Sequence, residues 1–411
     1  MAELQTNIEF SIDKSMQLFS GFRGSGKTTE LGRLRSRLVA KGYSVFYANA
    51  LDYLSPSDPV EIEGLLIAIA GSFGEAVSKL DVDILTDSYW ARFWHFLNET
   101  EVDFKEFSFN AGDPKVLGYS LKGALQTSPM FRERVNKAIA PRLGAFRDQV
   151  RKFFEDAVQA LRTKRKDPNL QIAFLFDQLE QIRGTLSNES DVFLSLERVF
   201  VTFNDYIRIP YIHAVYSVPP WLKLLTLGPS TPITVLPCIR QWCNDDSRTP
   251  HPPGEKCMRE LLLKRFGTPQ NFQRFFGEPF DVASTPRADQ LIQLCGGHFR
   301  DLLRFIRECV IRARVLPVTD EVLTASIQKV RSDFLPIAQD DAIWLSNIGK
   351  ERATALQTKK AEEVTRLTRL LDTHFVLYLK NGKEWYDVHP LIREEVELIA
   401  AKASSHAPPS A

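Results

Sequence analysis

Met16-Gln17-Leu18-Phe19-Ser20-Gly21-Phe22-Arg23-Gly24-Ser25-Gly26-Lys27-Thr28-Thr29 reads as a short buried strand, a glycine-rich turn and the first turn of a helix. Within it, Gly21 to Thr28 fits the pattern G-x-x-x-x-G-K-[ST] of a phosphate-binding loop. Each residue type has a physical task there. Gly21, Gly24 and Gly26 let the backbone wrap so that successive N–H groups, including those of Ser25 and Thr29, point at phosphate oxygens. The helix that follows adds unpaired donors and the positive end of its dipole. Lys27 reaches phosphate as a point charge, exposed for that purpose rather than packed. The Thr28 hydroxyl suits a Mg²⁺ ion that keeps most of its waters. Leu31, Leu34 and Leu38 follow at helical spacing, as a helix packed on a sheet requires.

Outward from this loop, little precedes the first strand, so the fold is expected to start with it. Gly42 stops the helix, and Ser44 to Asn49 forms a second strand apolar enough to be buried on both faces. Strand, loop, helix and strand make a right-handed βαβ unit. Ile172-Ala173-Phe174-Leu175-Phe176 is a continuous apolar run that ends in Asp177. A buried parallel strand delivering an acid at its carboxyl end is where a Mg²⁺-orienting carboxylate is expected beside a phosphate loop. Glu180, three residues on, is the candidate for polarising an attacking water. Tyr211 to Val215 is a further strand, after which Ser217 either senses the γ-phosphate or satisfies a turn. Ile233 to Leu236 is another strand.

The remaining segments divide by texture. Residues 52–170 read as a helical insertion, with Pro141 breaking the amphipathic stretch Arg132–Lys166. The aromatic cluster Tyr89, Trp90, Phe93, Trp94, Phe96 and Phe104 reads as satellite core, and the basic run Arg162–Lys166 as a solvated helix end. After Gly254 strands give way to helices. Gly296-Gly297 permits a tight entry into a helix, and Arg300 emerges in its first turn, where the helix dipole disfavours a cation and an anionic partner or a neighbouring acid such as Asp301 is expected. Thr319 caps the next helix. Phe375–Lys380 and Lys383–Val388 flank Asn381-Gly382 as a hairpin with a type I′ signal, and His389-Pro390 starts a closing helix. The expected domains are a core at 1–253, a helical region at 254–336, a helix–helix–hairpin–helix region at 337–400 and a disordered tail at 401–411.

Composition narrows the partners. With a formal net charge of +1 over 411 residues, no global field favours nucleic acid or an acidic membrane. There is no signal segment and no apolar run of spanning length, so the cytoplasm is the expected compartment. Cys238, Cys243, Cys257, Cys295 and Cys309 are scattered without C-x-x-C spacing and read as structural thiols.

With these residues in view, the chain resembles the AAA+-related and STAND-type P-loop ATPases of bacteria, near their origin-recognition (Orc/Cdc6-like) branch. Gly21–Thr28 matches the Walker A motif of that family, and Phe174-Leu175-Phe176-Asp177 with Glu180 resembles its Walker B strand, with a D-x-x-E spacing where an adjacent pair is commoner. Ser217 falls at the sensor 1 position. Gly296-Gly297-His298-Phe299-Arg300 is similar to the lid-helix motif whose arginine is sensor 2. The helix–helix–hairpin–helix region looks like a winged-helix domain. The resemblance implies an α/β P-loop core with a parallel sheet, a helical lid and a winged helix, acting as an ATP- and Mg²⁺-dependent switch that hydrolyses ATP and self-assembles or engages a separate effector protein. An antiviral-defence system is one setting. The alternative is a nucleotide-gated winged-helix DNA-binding initiator, although Lys359, Lys360, Arg366 and Arg369 are interleaved with Glu362 and Glu363, which a phosphate-binding surface seldom allows.

Overall fold

The computed structural model describes residues 1–80, 122–185, 187–224, 231–356 and 361–405. The chain forms two compact units, Met1–Ser20 with Lys27–Val235, and Gly21–Gly26 with Leu236–Ala411. No helix among the described residues is long and apolar enough to cross a membrane.

The first unit is α/β. A helix, α1 (Ala2–Glu9), precedes β1 (Ser15–Gly21), so the fold does not start at the first strand. Leu4 and Ile8, four residues apart, are fully buried, which is why this short segment is helical rather than frayed. Then come α2 (Lys27–Ala40), β2 (Ser44–Asn49), α3 (Ile62–Leu80), α4 (Pro129–Ile139) and α5 (Leu143–Arg165). A one-turn 3-10 segment at Ala140–Arg142, containing Pro141, separates α4 from α5 where the sequence predicts the break. Next are β3 (Ile172–Asp177), α6 (Glu189–Glu197), β4 (His213–Val218) and β5 (Ile233–Leu236). The sheet order is β2-β3-β4-β1-β5. The pairs β1–β4, β3–β4 and β2–β3 are parallel.

Two strand expectations change. Among the described residues β2 lies at the sheet edge, and Ser44 and Tyr47 to Asn49 are only half-buried rather than covered on both faces. β4 starts at His213, not Tyr211, because Tyr211 follows a proline and takes a positive φ of 58° that no strand residue adopts. The sheet is covered by α3 and α5 through an aromatic cluster: the Phe73 ring lies 5.2 Å from Phe46, 5.1 Å from Phe154 and 5.4 Å from Phe174. The cluster expected at Tyr89–Phe104 lies outside the described residues.

The second unit is mostly helical: α7 (Pro252–Phe266), α8 (Pro269–Phe276), α9 (Pro286–Leu294), α10 (Phe299–Arg312), α11 (Asp320–Ser332), α12 (Gln339–Glu351), α13 (Ala361–Asp372), the hairpin β6 (Val376–Asn381) and β7 (Lys383–Val388), and α14 (Arg393–Ser405). Local chemistry sets these boundaries. Thr268 caps α8 by accepting from the Asn271 N–H, Pro269 occupies its first turn, and Gly277 ends it at a φ of 76°. Thr319 caps α11 in the same way, accepting from Val322. The hairpin forms without the expected type I′ turn. Asn381 pairs with Lys383 across the ladder, and of the two central residues only Gly382 takes a positive φ, whereas type I′ needs it at both. The helical turn Pro390–Ile392 and α14 follow His389 as predicted, but α14 runs through Lys402 to Ser405, shortening the expected tail.

Candidate functional site

In the first unit, the carboxyl ends of parallel strands gather the polar side chains of the site. Ser217 on β4 pairs with Phe19 of β1, one residue beyond the pairing of Tyr216 with Phe176, the neighbour of Asp177 on β3. Asp177 is fully buried. Its Oδ2 accepts from the Thr28 hydroxyl at 3.0 Å and from the Tyr47 hydroxyl at 2.8 Å. Thr28 and Asp177 therefore meet as the sequence predicts. Tyr47 is a member that sequence reasoning missed. It sits on β2, whose Asn49 pairs with Asp177, and burial together with the neighbouring Asp177 charge pushes its phenol well above the ordinary range. A lone tyrosine in an apolar strand reads as core; its polar tip is the one available signal.

Glu180 is brought in by an unusual turn. Gln178 adopts a left-handed conformation, φ 76° and ψ 12°, and opens the 3-10 turn Leu179–Gln181. The chain doubles back, and Glu180 Oε1 lies 3.2 Å from Lys27 Nζ. Its Oε2 accepts from the Ser217 hydroxyl at 2.7 Å. Ser217 in turn accepts from the Gln178 N–H at 2.6 Å, which also donates to Asp177 Oδ1 at 2.9 Å. The two residues between Asp177 and Glu180 thus do not send the glutamate elsewhere. The contorted backbone supplies a donor to Asp177 and Ser217, and the serine hydroxyl passes the connection on to Glu180. Lys27 corrects an expectation: it is 5% exposed and ion-paired, not free of packing. Thr29 is exposed, with no side-chain hydrogen bond to this cluster.

Gln178 gives a direct test. Gln178→Gly, which takes positive φ without strain, is expected to leave folding and nucleotide affinity within about 1 kcal/mol. Gln178→Pro removes the N–H shared by Asp177 and Ser217 and cannot reach this φ, so it is expected to lower stability by about 3 kcal/mol or more. Urea unfolding of both variants checks the pair; equal effects would deny the turn its role.

The second unit holds the loop residues Gly21–Gly26 and their neighbours. Gly24 and Gly26 take φ of 89° and 95°, the conformations for which the sequence pattern needs glycine. Ser25 closes a local turn, its N–H and hydroxyl both donating to the Phe22 carbonyl. A Cβ on Gly21 would lie 3.0 Å from Leu236 Cβ. Arg300, in the first turn of α10, lies directly against the loop: a Cβ on Gly24 would come within 2.5 Å of its Nε. The entry to α10 is as tight as the two glycines imply, since a Cβ on Gly297 would fall 1.7 Å from the Ile239 carbonyl oxygen. His298 Nε2 donates to the Arg23 carbonyl at 2.9 Å, a contact to the loop that the sequence pattern does not announce.

No protein-family model matches the chain, and no curated protein matches it in sequence. Among solved structures it is similar to the ORC2 protein of Aeropyrum pernix in its ADP form, at 12% identity over 99% of this chain and 93% of that one, with a TM-score of 0.38. It is similar also to a Walker-type ATPase of Pyrococcus abyssi, at 8% identity, 96% and 94% coverage and a TM-score of 0.41. A third similarity is to Cdc6p of Pyrobaculum aerophilum, at 11% identity, 98% and 92% coverage and a TM-score of 0.35.

Proposed function

We propose that this chain is an ATP-binding and ATP-hydrolysing switch of the AAA+/STAND kind. The observation that carries the reading is the gathering of Lys27, Thr28, Asp177, Glu180 and Ser217 at the carboxyl ends of parallel strands, within one hydrogen-bonded set. Lys27 turns from Glu180 to the phosphates of the nucleotide, which compensate its charge in place of the carboxylate. Glu180, still held by Ser217, is then free to accept a proton from the attacking water. The Thr28 hydroxyl and the Asp177 carboxylate, 3.0 Å apart, are hard oxygen donors of the kind that would hold Mg²⁺ and its waters. When bound, Mg²⁺ neutralises phosphate charge. Tyr47 fixes the carboxylate from its other side.

Arg300, resting on Gly24, reads the terminal phosphate that distinguishes ATP from ADP. The division into a core at 1–253, a lid at 254–336 and a winged helix at 337–400 belongs to the same proposal. So does output through self-assembly or a separate effector, with antiviral defence as one setting.

Asp177→Asn tests the reading. It is expected to weaken binding of Mg²⁺·ATP by about tenfold or more while metal-free ATP loses much less. The amide oxygen still accepts from Thr28 and Tyr47 but no longer attracts a cation, and the cost of turning the amide N–H₂ toward the Gln178 N–H falls on both forms alike. Calorimetric titration with and without Mg²⁺ checks it. Equal loss for both forms would make Asp177 a folding residue.

A further inference from the structure

One cluster in the second unit has no part in the function proposed above. His298 and Asp301 stand three residues apart at the start of α10, His374 lies just before β6, and His389 just after β7. All four are buried, with exposures of 1%, 0%, 8% and 0%. Three imidazoles converge on one carboxylate oxygen. Asp301 Oδ2 is 2.7 Å from His298 Nδ1, 3.4 Å from His374 Nδ1 and 3.5 Å from His389 Nε2.

Hydrogen bonding fixes the roles of the rings. The Arg23 carbonyl can only accept, so His298 Nε2 carries the hydrogen that reaches it at 2.9 Å. In the neutral ring Nδ1 is then a lone pair, and it faces Asp301 Oδ2, another acceptor. Two acceptors at 2.7 Å need a cation between them, either a proton or a metal ion. A proton satisfies His298 alone. It leaves His374 with only the 3.4 Å approach of its Nδ1, long for a hydrogen bond, while its Nε2 is buried without a hydrogen-bond partner whichever cation is present. Buried imidazoles are rarely so thinly satisfied. A metal ion uses all three donors. Those of His298, Asp301 and His374 lie within 4.8 Å of one another. The 3.4 Å separation is close to the edge of about 3.3 Å that bonds of about 2.0–2.1 Å give a tetrahedron, whereas the 2.7 Å between His298 Nδ1 and Asp301 Oδ2 is shorter and must open when an ion enters.

We propose that His298 Nδ1, Asp301 Oδ2 and His374 Nδ1 form a binding site for a borderline divalent transition-metal ion such as Zn²⁺. Water completes the coordination. The surroundings match what such sites need. His298 donates its other nitrogen to a backbone carbonyl, which orients the ring. Asp301 Oδ1 accepts from Arg304 at 3.1 Å, leaving Oδ2 for the ion. His389 acts from outside the ligand set. Its Nδ1 accepts from the Leu391 N–H at 3.3 Å, so its Nε2 carries hydrogen toward Asp301. Two nitrogens and one oxygen disfavour Mg²⁺ and Ca²⁺, which take oxygen ligands. The ion would hold His298 rigidly and, through it, the Arg23 carbonyl; this last consequence rests on the phosphate-loop reading, whereas the site itself does not.

The test uses the purified full chain, nucleotide-free and stripped with a chelator. Titration with Zn²⁺ is expected to saturate at one ion per chain and to raise the melting temperature, with excess Mg²⁺ failing to compete. Co²⁺ is expected to give the absorption of a low-coordinate nitrogen/oxygen site without a thiolate charge-transfer band. His374→Gln is expected to lose roughly 100-fold or more in Zn²⁺ affinity, while Cys257→Ser, which removes an exposed thiol, changes nothing. Failure of the wild-type chain to bind Zn²⁺ stoichiometrically, a thiolate band with Co²⁺, or undiminished affinity in a folded His374→Gln each overturns the site. If His374→Gln does not fold, the wild-type stoichiometry and Co²⁺ spectrum decide. None of these readouts involves ATP, so the site can fail while the ATPase reading stands, and the reverse.

Discussion

Glu180→Gln is expected to lower ATP hydrolysis by about 100-fold or more while leaving nucleotide binding intact or tighter. The substitution keeps the side chain's shape and its capacity to accept from Ser217, but removes the charge that would take a proton from water. It also removes the anion that holds Lys27 at 3.2 Å, so the lysine no longer exchanges one carboxylate for phosphate on binding. Lys27→Ala has the converse signature. Nucleotide affinity collapses, and stability falls as well, because Glu180, 9% exposed, keeps a buried charge with Ser217 as its remaining hydrogen-bond donor. In the double variant Lys27→Ala with Glu180→Gln that stability cost is expected to shrink, a coupling that a double-mutant cycle in urea isolates from the loss of binding. Wild-type hydrolysis by Glu180→Gln would remove the glutamate from the chemistry and require another base.

How much of this was legible in the sequence depends on how local the information is. The glycine-rich stretch after β1 and the strand ending in Asp177 are contiguous patterns, and both strands lie where the sequence puts them. Arg300 was legible from its two glycines and now lies against Gly24. Glu180 was legible as a candidate only, since what seats it is a left-handed glutamine, and no local rule marks Gln178 for a positive φ. Tyr47 was hidden because a tyrosine in an apolar strand carries no sign of which neighbour its hydroxyl will meet. The edge position of β2 was hidden for a related reason: strand order is a tertiary fact, and the apolar run Val45-Phe46-Tyr47 reads the same at an edge as in the middle. Side chains that meet from distant segments were the least legible, and the second unit contains a charge cluster of that kind around Asp387.

Asp387→Asn is expected to cost about 3–5 kcal/mol of stability, the scale for breaking a buried ion network on one side. Asp387 is fully buried at the end of β7. Arg248 grips it with Nε on Oδ2 and Nη2 on Oδ1, each at 3.0 Å. Arg393 Nη2 donates to Oδ2 at 3.0 Å, Arg352 pairs with the same oxygen, and Trp242 Nε1 donates to it at 2.9 Å. The Arg393 guanidinium also lies 4.4 Å from the centre of the Trp242 ring. One carboxylate thus joins the Trp242–Arg248 loop, the end of α12, the hairpin and the start of α14. An asparagine leaves three guanidinium groups converging without an anion and turns an amide N–H₂ toward donors. Burial pushes the Asp387 carboxyl up, but the Arg248 hydrogen bonds and the charges of Arg393, Arg248 and Arg352 outweigh it and hold it below the ordinary carboxylate range. Burial likewise lowers Arg393, to about 10, which still leaves it charged at neutral pH. The sign follows from the depressed carboxyl. The unfolded chain takes up the proton first, near pH of about 3.9, so the contribution is complete above that value and is lost as the pH falls through the lower folded value. Wild-type stability is therefore expected to drop in acid with a slope that Asp387→Asn lacks, the two converging at low pH. Urea unfolding across the acid range measures both curves. A neutral-pH loss under about 1 kcal/mol, or parallel curves, would mean that the arginines find solvent on their own and that Asp387 does not organise this part of the fold.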